Sequence, residues 1–550
     1  MSNRGSPPPS FWPKVPVDRR FDHWVTVGFQ RRVLVLVRTV ATLTRLLDVL
    51  SLFEDDHRVQ VVFTFDETRP AILGSGVSET LRALRATILP WEQAIATRFD
   101  LALAASENDD LHLIQAPLVL LPHGFGFQKF YPGTAVVAGM NPDRLIHDGQ
   151  VIPAVLGLSH VAQREQLRRL TPDAAKRSLV VGDPCLDRIL ASRHRHDGYR
   201  TALGRRGRAV VTLASTWGPH SLLGTDPELP LRLVAQLPHD EVAVCAIMHP
   251  GITAAHSPWQ LDHWLSQARR AGLRVIPPEA GWQAAVMGAS CVITDEGSVA
   301  LYAAAADRPL LLAGEPAPTT VPGSPMSTLV SRSPRLRHDE PLNAQIERAV
   351  AEHHPGEYSD VIDEAVSARG QSARILRSAL YELMALPEPA GWPEFPPHPV
   401  PPQEKQEIAA FVAGTARQGD ELRLVRHPVT TQEHTLDHRH IVAHATHATL
   451  RQVSSAAVVF TDLRVSEENH FREWATTTLR RWPEARVAAA RLDDGRCLTM
   501  TRAGAVRESS LASADLDPLL AASLVYLGGA AATREIAIGA RTVAVASRML

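Results

Sequence analysis

Cys291-Val292-Ile293-Thr294-Asp295-Glu296-Gly297-Ser298-Val299-Ala300-Leu301-Tyr302-Ala303-Ala304-Ala305-Ala306-Asp307-Arg308-Pro309-Leu310-Leu311-Leu312-Ala313-Gly314 is the stretch that decides the fold. Cys291 to Ile293 is apolar throughout, the pattern of a parallel strand buried on both faces. Asp295 to Ser298 is a polar turn. Val299 to Ala306 is small and apolar, and predicts a helix able to lie close to a sheet. Pro309 stops it, and Leu310 to Ala313 reads as the next strand. The turn therefore falls at the carboxyl end of a strand, where open α/β sheets bind ligands. Gly297 lets a ligand approach the backbone. Ser298 adds a hydroxyl at a helix start whose free N–H groups attract phosphate. Asp295 and Ser298 also have the chemistry of helix caps, and the turn alone does not separate the two roles.

The same alternation extends to both sides. Towards the amino end, Ala209 to Ala214, Glu241 to Met248 and Leu273 to Ile276 read as strands. Helical spacing separates them at Leu229 to Leu237 and Trp259 to Ala271. The Trp259/Trp264 helix reads as core packing. Asp360 to Met384 reads as one long closing helix. A first set of strands precedes these: Arg32 to Arg38, Val59 to Phe65, Phe99 to Ala105, Ala116 to Leu121, Val151 to Leu158 and Leu179 to Val181. Alternating strand and helix predict mainly parallel sheets with helices on their faces. Neither a Gly-x-Gly-x-x-Gly after the first strand nor a Gly-Lys-Ser/Thr loop is present, so neither dinucleotide nor P-loop chemistry is indicated.

At 550 residues the chain is too long for one ordinary domain. The reading divides it into a disordered Pro-rich tail (1–20), a Rossmann-like domain (21–205), a second one (206–385), a stiff Pro-rich linker (386–403) and a small α+β domain of unknown role (404–550). A net charge of −2 gives no global basis for nucleic-acid binding. Cys185, Cys245, Cys291 and Cys497 are too scattered for a zinc pattern or a disulfide framework, which fits a reducing cytoplasm. No apolar run reaches membrane-spanning length, and peripheral membrane contact stays open. His434, His438, His440, His444 and His447 are dense in sequence, but no Cys lies near them. No Asp-x-Asp follows a strand. No metal or cofactor is assigned.

Five motifs occur in order: His123-Gly124 after a strand; Gly182-Asp183-Pro184-Cys185-Leu186-Asp187; Ala214-Ser215-Thr216-Trp217; His249-Pro250; and Thr294 to Ser298 followed by Asp307-Arg308-Pro309-Leu310. Together they resemble the His-Gly-Thr, Gly-x-Pro-x-x-Asp, Ala-Pro-Thr-Trp, His-Pro and Thr-Asp-Tyr-Ser-Ser…Lys-Pro motifs of the CDP-glycerol:poly(glycerophosphate) glycerophosphotransferase family. The resemblance covers roughly Leu120 to Ala313 and marks a divergent member. It departs from the family at Phe125 to Gln128 and at Glu296-Gly297, which stands for Tyr-Ser. Lys129 keeps a cation near the first motif.

The resemblance implies two doubly wound Rossmann-like domains in a glycosyltransferase-B arrangement. It implies transfer from a nucleotide-diphosphate donor, CDP-glycerol or a nucleotide sugar, to a polyol-phosphate or glycan acceptor. His123 would be the base, since imidazole titrates near neutrality, and His249 would donate to a phosphate oxygen. Thr216, Trp217, Asp295, Glu296, Gly297 and Ser298 would hold the donor, and Gly124 and Lys129 would lie on the acceptor side. A nucleotide-sugar glycosyltransferase or 2-epimerase relative, and a catalytically silent nucleotide- or partner-binding module, are the alternative expectations.

Overall fold

The computed structural model describes residues 11–550 apart from 70, 72–73, 132, 205–206, 403–406, 419–420, 431, 433, 529–532 and 540. The first ten residues of the expected tail lie outside the described residues. Residues 11–20 pack on the first domain, because Val17 is buried in its core and the Pro13 and Pro16 carbonyls accept from Gln93 and Arg32.

The first domain is a seven-stranded sheet in the order Ile88–Leu89, Val59–Thr64, Arg31–Leu36, Leu101–Ala104, Leu118–Leu120, Val155–Leu158, Ser178–Val180. Every neighbouring pair is parallel. Arg31–Leu36 is central because Val33 to Leu36 are apolar on both faces, and each face is covered by its own core. The second domain has five parallel strands in the order Arg274–Ile276, Val242–Met248, Ala209–Ser215, Cys291–Thr294, Leu310–Leu312. Its strand order reverses beside Ala209–Ser215, a topological switch point at which doubly wound sheets open a crevice.

The chain does not finish where the second domain does. The expected single closing helix is two, Ser359–Ala365 and Ser372–Leu383. The stretch Ser367 to Gln371 breaks the helical pattern, with Gly370 at φ 75°. Leu376, Leu380 and Tyr381 of the second helix return to the first domain and pack with Val33, Leu43 and Leu46. The Pro-rich segment carries neither helix nor strand and is bound along the surface. Proline supplies no N–H, so this segment builds no ladder of its own and its carbonyls need outside donors. Arg58, Arg377, Arg188, Arg195 and Arg274 donate to the carbonyls of Pro387, Gly391, Pro396, His398 and Pro402. Phe395 is buried in the first domain's core.

The expected α+β domain is instead a closed barrel. Its nine strands run in the order Ala410–Gln418, Glu421–Pro428, Thr533–Ile538, Arg541–Met549, Val506–Leu511, Arg496–Thr501, Val487–Leu492, Val458–Leu463, Asp437–His444 and back to the first. The strand-and-helix alternation there is genuine for the three parallel strands 437–444, 458–463 and 487–492. Closure comes from antiparallel pairs on either side and from the parallel pairing of Arg423 with Ala537, which no local pattern announces. The helix Leu520–Tyr526 covers one set of alternating strand side chains, including Phe411, Val458, Phe460 and Ala489. The helix Phe471–Arg481 covers the other. The barrel docks on the segment just before Val242–Met248. There the buried Arg426 pairs with Asp240 at 2.6 Å and with the barrel's own Asp517 at 3.1 Å, and its backbone carbonyl accepts from His239. That is the amino end of the second sheet, the edge opposite the carboxyl ends that carry the motifs. Among the described residues no helix is long and apolar enough to cross a membrane.

Candidate functional site between the two sheets

Strand register brings the second-domain motifs level. Ser215 pairs with Met248, and Ala214 pairs with Thr294, so Thr216, His249 and Asp295 each follow a strand by one residue on the same edge. Asp295 is buried against its neighbouring loop. Its carboxylate accepts from the Thr216 N–H at 2.9 and 3.1 Å and from the Leu222 N–H at 2.8 Å. It anchors the loop 215–222 to the end of the strand Cys291–Thr294. Gly297 is required by space. Its φ of −145° is open to any residue, but a Cβ there would lie 2.4 Å from Thr216 Cγ2. Ser298 then opens the helix Ser298–Ala305 with no side chain capping it from outside.

His249 caps the helix Pro250–His256 by accepting the Gly251 N–H on Nδ1 at 2.9 Å. That bond places the proton on Nε2, so the free side of the ring is a donor. Burial first, and then repulsion from the Lys129 cation and from His123 whenever it is protonated, pushes its pKa down to about 4, so the ring is neutral at pH 7. Trp217 lies against the same helix start, its Cγ 2.9 Å from where a Gly251 Cβ would stand, and its ring remains 45% exposed.

The first domain contributes the opposite wall. His123 follows the strand Leu118–Leu120, bonds the Ala105 carbonyl and is exposed on its open side. Surrounding protein and then the charge of Arg45 lower its pKa. A neutral ring that gives its one N–H to a carbonyl has a lone pair free on the other nitrogen, the state a general base needs. The next residue, Gly124, touches Ser298 across the seam: a Cβ on Gly124 would lie 2.6 Å from Ser298 Oγ. The first-domain and second-domain motifs therefore meet at one place.

Three further contacts fix that meeting. Phe125 leaves its own domain and is buried in the second domain's core, its ring 4.4 Å from that of Tyr302. Lys129 forms an antiparallel bridge with Thr320, the Phe130 N–H donates to the Thr319 carbonyl at 2.7 Å, and the Val321 N–H donates to the Gln128 carbonyl at 3.0 Å. Burial lowers the Lys129 pKa, against the pull of Asp295 and Glu296. Behind His123, Arg45 pairs with Asp183 at 3.1 Å and bonds the Tyr302 hydroxyl, which lies 3.0 Å from Asp183. This buried network joins a first-domain helix, the Gly182-Asp183-Pro184 turn and the helix that begins at Ser298. Arg45 and Tyr302 escaped the sequence reading. The available signal was a cation on the apolar stripe of Val40–Leu50, between Leu43, Leu46 and Val49.

Elsewhere, one expectation changes. Trp259 and Trp264 are not core residues: they are 70% and 55% exposed, with His263 stacked on Trp259 and His256 edge-on to Trp264. Of the dense histidines, His440 lies between the His438 carbonyl and Ser523 Oγ, while His444 accepts from the Thr446 and His447 N–H groups. Among the described residues no three His, Cys, Asp or Glu side chains converge in a metal-binding group.

No family model and no curated protein sequence matches the chain. Among solved structures it is similar to the wall teichoic acid polymerase TagF, at 12% identity and a TM-score of 0.43, over 65% of this chain and 89% of that one. It is similar to the UDP-GlcNAc 2-epimerase of Methanocaldococcus jannaschii, at 10% identity and a TM-score of 0.40, over 64% and 99%. It is also similar to Anabaena HepE, solved in complex with UDP-glucose, at 12% identity and a TM-score of 0.35, over 65% and 100%.

Proposed function

We propose that this chain is a transferase of the CDP-glycerol glycerophosphotransferase type. It takes a nucleotide-diphosphate donor on the second domain and a polyol-phosphate or glycan hydroxyl on the first. The observation that carries the reading is the meeting of His123-Gly124 with His249 and Ser298 across one seam. In that arrangement His123 takes the proton of the acceptor hydroxyl through its free nitrogen. The acceptor oxygen attacks the phosphorus that bears the transferred group. The bond from that phosphorus to the bridging oxygen breaks, and nucleoside monophosphate leaves. His249 Nε2–H, Ser298 and the N–H groups of the helix start stabilise the charge that grows on the phosphate oxygens. A glycosyl donor would use the same wall, with attack at the anomeric carbon and nucleoside diphosphate leaving.

The test is nucleotide release from CDP-glycerol and from UDP- and GDP-sugars, with calorimetry on each variant. His123→Ala lowers turnover by roughly 100- to 10,000-fold, the usual contribution of a general base, and leaves donor affinity nearly unchanged. Ser298→Ala mainly weakens donor binding, by about 1.5–3 kcal/mol for one hydrogen bond to a charged group. Full activity in His123→Ala, or donor binding indifferent to both Ser298→Ala and His249→Ala, overturns the assignment.

A further inference from the structure

Glu296 stands where a phosphate would be repelled, one residue before the helix start that would bind it. It is 6% exposed. One carboxylate oxygen, Oε2, accepts the Thr320 hydroxyl at 2.6 Å. The other, Oε1, is buried and has no hydrogen-bond partner. Thr320 is itself pinned by the backbone bridge to Lys129, so the carboxylate cannot swing away freely. A buried carboxylate oxygen with no donor costs about 1–3 kcal/mol or more relative to one that is bonded. Such an atom, in the seam between the two domains, is an unused acceptor.

From this atom we infer that Glu296 Oε1 accepts a ribose hydroxyl of the donor nucleotide, which makes the chain selective for ribonucleotides over deoxyribonucleotides. The inference rests on the proposed nucleotide-diphosphate donor. The ligand group that meets Oε1 must bring an O–H or N–H, which excludes the phosphates themselves. It must also lie close to the phosphate at Ser298, because Glu296 and Ser298 are separated only by Gly297. The ribose hydroxyls meet both conditions, being joined to the α-phosphate through C5′. Lys129 lies near enough to feel both Asp295 and Glu296, and offsets the negative charge that the carboxylate brings to the phosphate side.

The experiment is calorimetric titration of the full chain with CDP, UDP, GDP and ADP, each against its 2′-deoxy and 2′,3′-dideoxy forms. Wild type is compared with Glu296→Gln, which keeps an oxygen for Thr320 but replaces the second acceptor by a donor amide, and with Glu296→Ala. For the nucleotide that binds, wild type is expected to prefer a ribonucleotide over the form that lacks the contacted hydroxyl by about tenfold or more. In Glu296→Ala the preference collapses towards unity, while Glu296→Gln keeps part of it, because its amide can donate to the hydroxyl oxygen. The dideoxy form is expected to bind Glu296→Gln more tightly than wild type, because a lone carboxylate has been removed from beside the diphosphate. Equal binding of ribo and dideoxy forms by wild type overturns the inference and leaves the donor reading intact. So does a preference that survives in Glu296→Ala. Absence of binding by all the nucleotides overturns the donor reading, and the inference with it.

Discussion

Gly124→Ala adds a single methyl group at the point where the two domains touch. Gly124 is not in the left-handed region, so alanine is compatible with its backbone. The cost comes from space alone. The new Cβ would lie 2.6 Å from Ser298 Oγ and 3.4 Å from Ser298 Cβ. The first distance is far inside the roughly 3.5–4.0 Å of a relaxed carbon contact, and the second is close to tolerable. Either Ser298 turns its hydroxyl away or the seam opens, and overpacking of this kind costs about 1–3 kcal/mol. Ser298→Ala removes the clashing oxygen. In that background Gly124→Ala has only its effect on the unfolded chain, which stabilises by about 0.4–1 kcal/mol. The sign of the substitution therefore reverses between the two backgrounds. Urea denaturation of the four proteins measures the coupling, expected at about 1–3 kcal/mol, because the effect on the unfolded chain is common to both backgrounds and cancels. Amide hydrogen exchange along 298–305 shows whether the helix start is the part that loosens. Equal effects of Gly124→Ala in both backgrounds would refute the contact, and with it the joining of the two motif sets at one place.

Phe125→Ala empties a site in the second domain's core from a first-domain loop, and should cost about 3–5 kcal/mol, seen as lowered stability of the whole chain rather than of one domain. Arg426→Met leaves Asp240 buried without its cation and Asp517 with only Arg491 at 3.6 Å, which should cost about 3–5 kcal/mol and release the barrel to limited proteolysis at the 386–403 segment; an unchanged digestion pattern would show that other contacts hold it. His249 has a folded-state pKa of about 4 against 6.5 when unfolded, so the unfolded state binds the extra proton between those values and stability falls as pH is lowered through that window, by up to about 1.4 kcal/mol per unit. His249→Asn retains an acceptor for the Gly251 N–H and removes the titration, so its pH profile should be flatter between pH 6.5 and 4 than that of wild type.

The parallel architecture was legible because each central strand is apolar on both faces and each is followed by a helix-forming stretch. The motif turns were legible for a related reason: parallel strands gather their carboxyl ends on one edge, so Thr216, His249 and Asp295 could be placed together from sequence order alone. What Asp295 does there was not legible. An aspartate after a strand is equally suited to a ligand or to its own backbone, and only the positions of the Thr216 and Leu222 N–H groups decide. The barrel was missed because closure rests on pairings such as Arg423 with Ala537, which are remote in sequence and carry no local periodicity. The return of Ser372–Leu383 to the first domain was missed because its apolar stripe would suit either core. Trp259 and Trp264 misled because their size argues for burial, while the helix that carries them presents only Leu261 inward.

The central claim is that a nucleotide diphosphate binds at the carboxyl edge of the second sheet and is served by His123 from the first. A crystal structure of His123→Ala soaked with CDP-glycerol, and in parallel with UDP- and GDP-sugars, tests it most directly. The account predicts diphosphate density over the start of the helix Ser298–Ala305, within hydrogen-bond distance of Ser298 and His249 Nε2, with the transferred group directed towards position 123. Nucleotide density wholly within the first domain or in the barrel would contradict it.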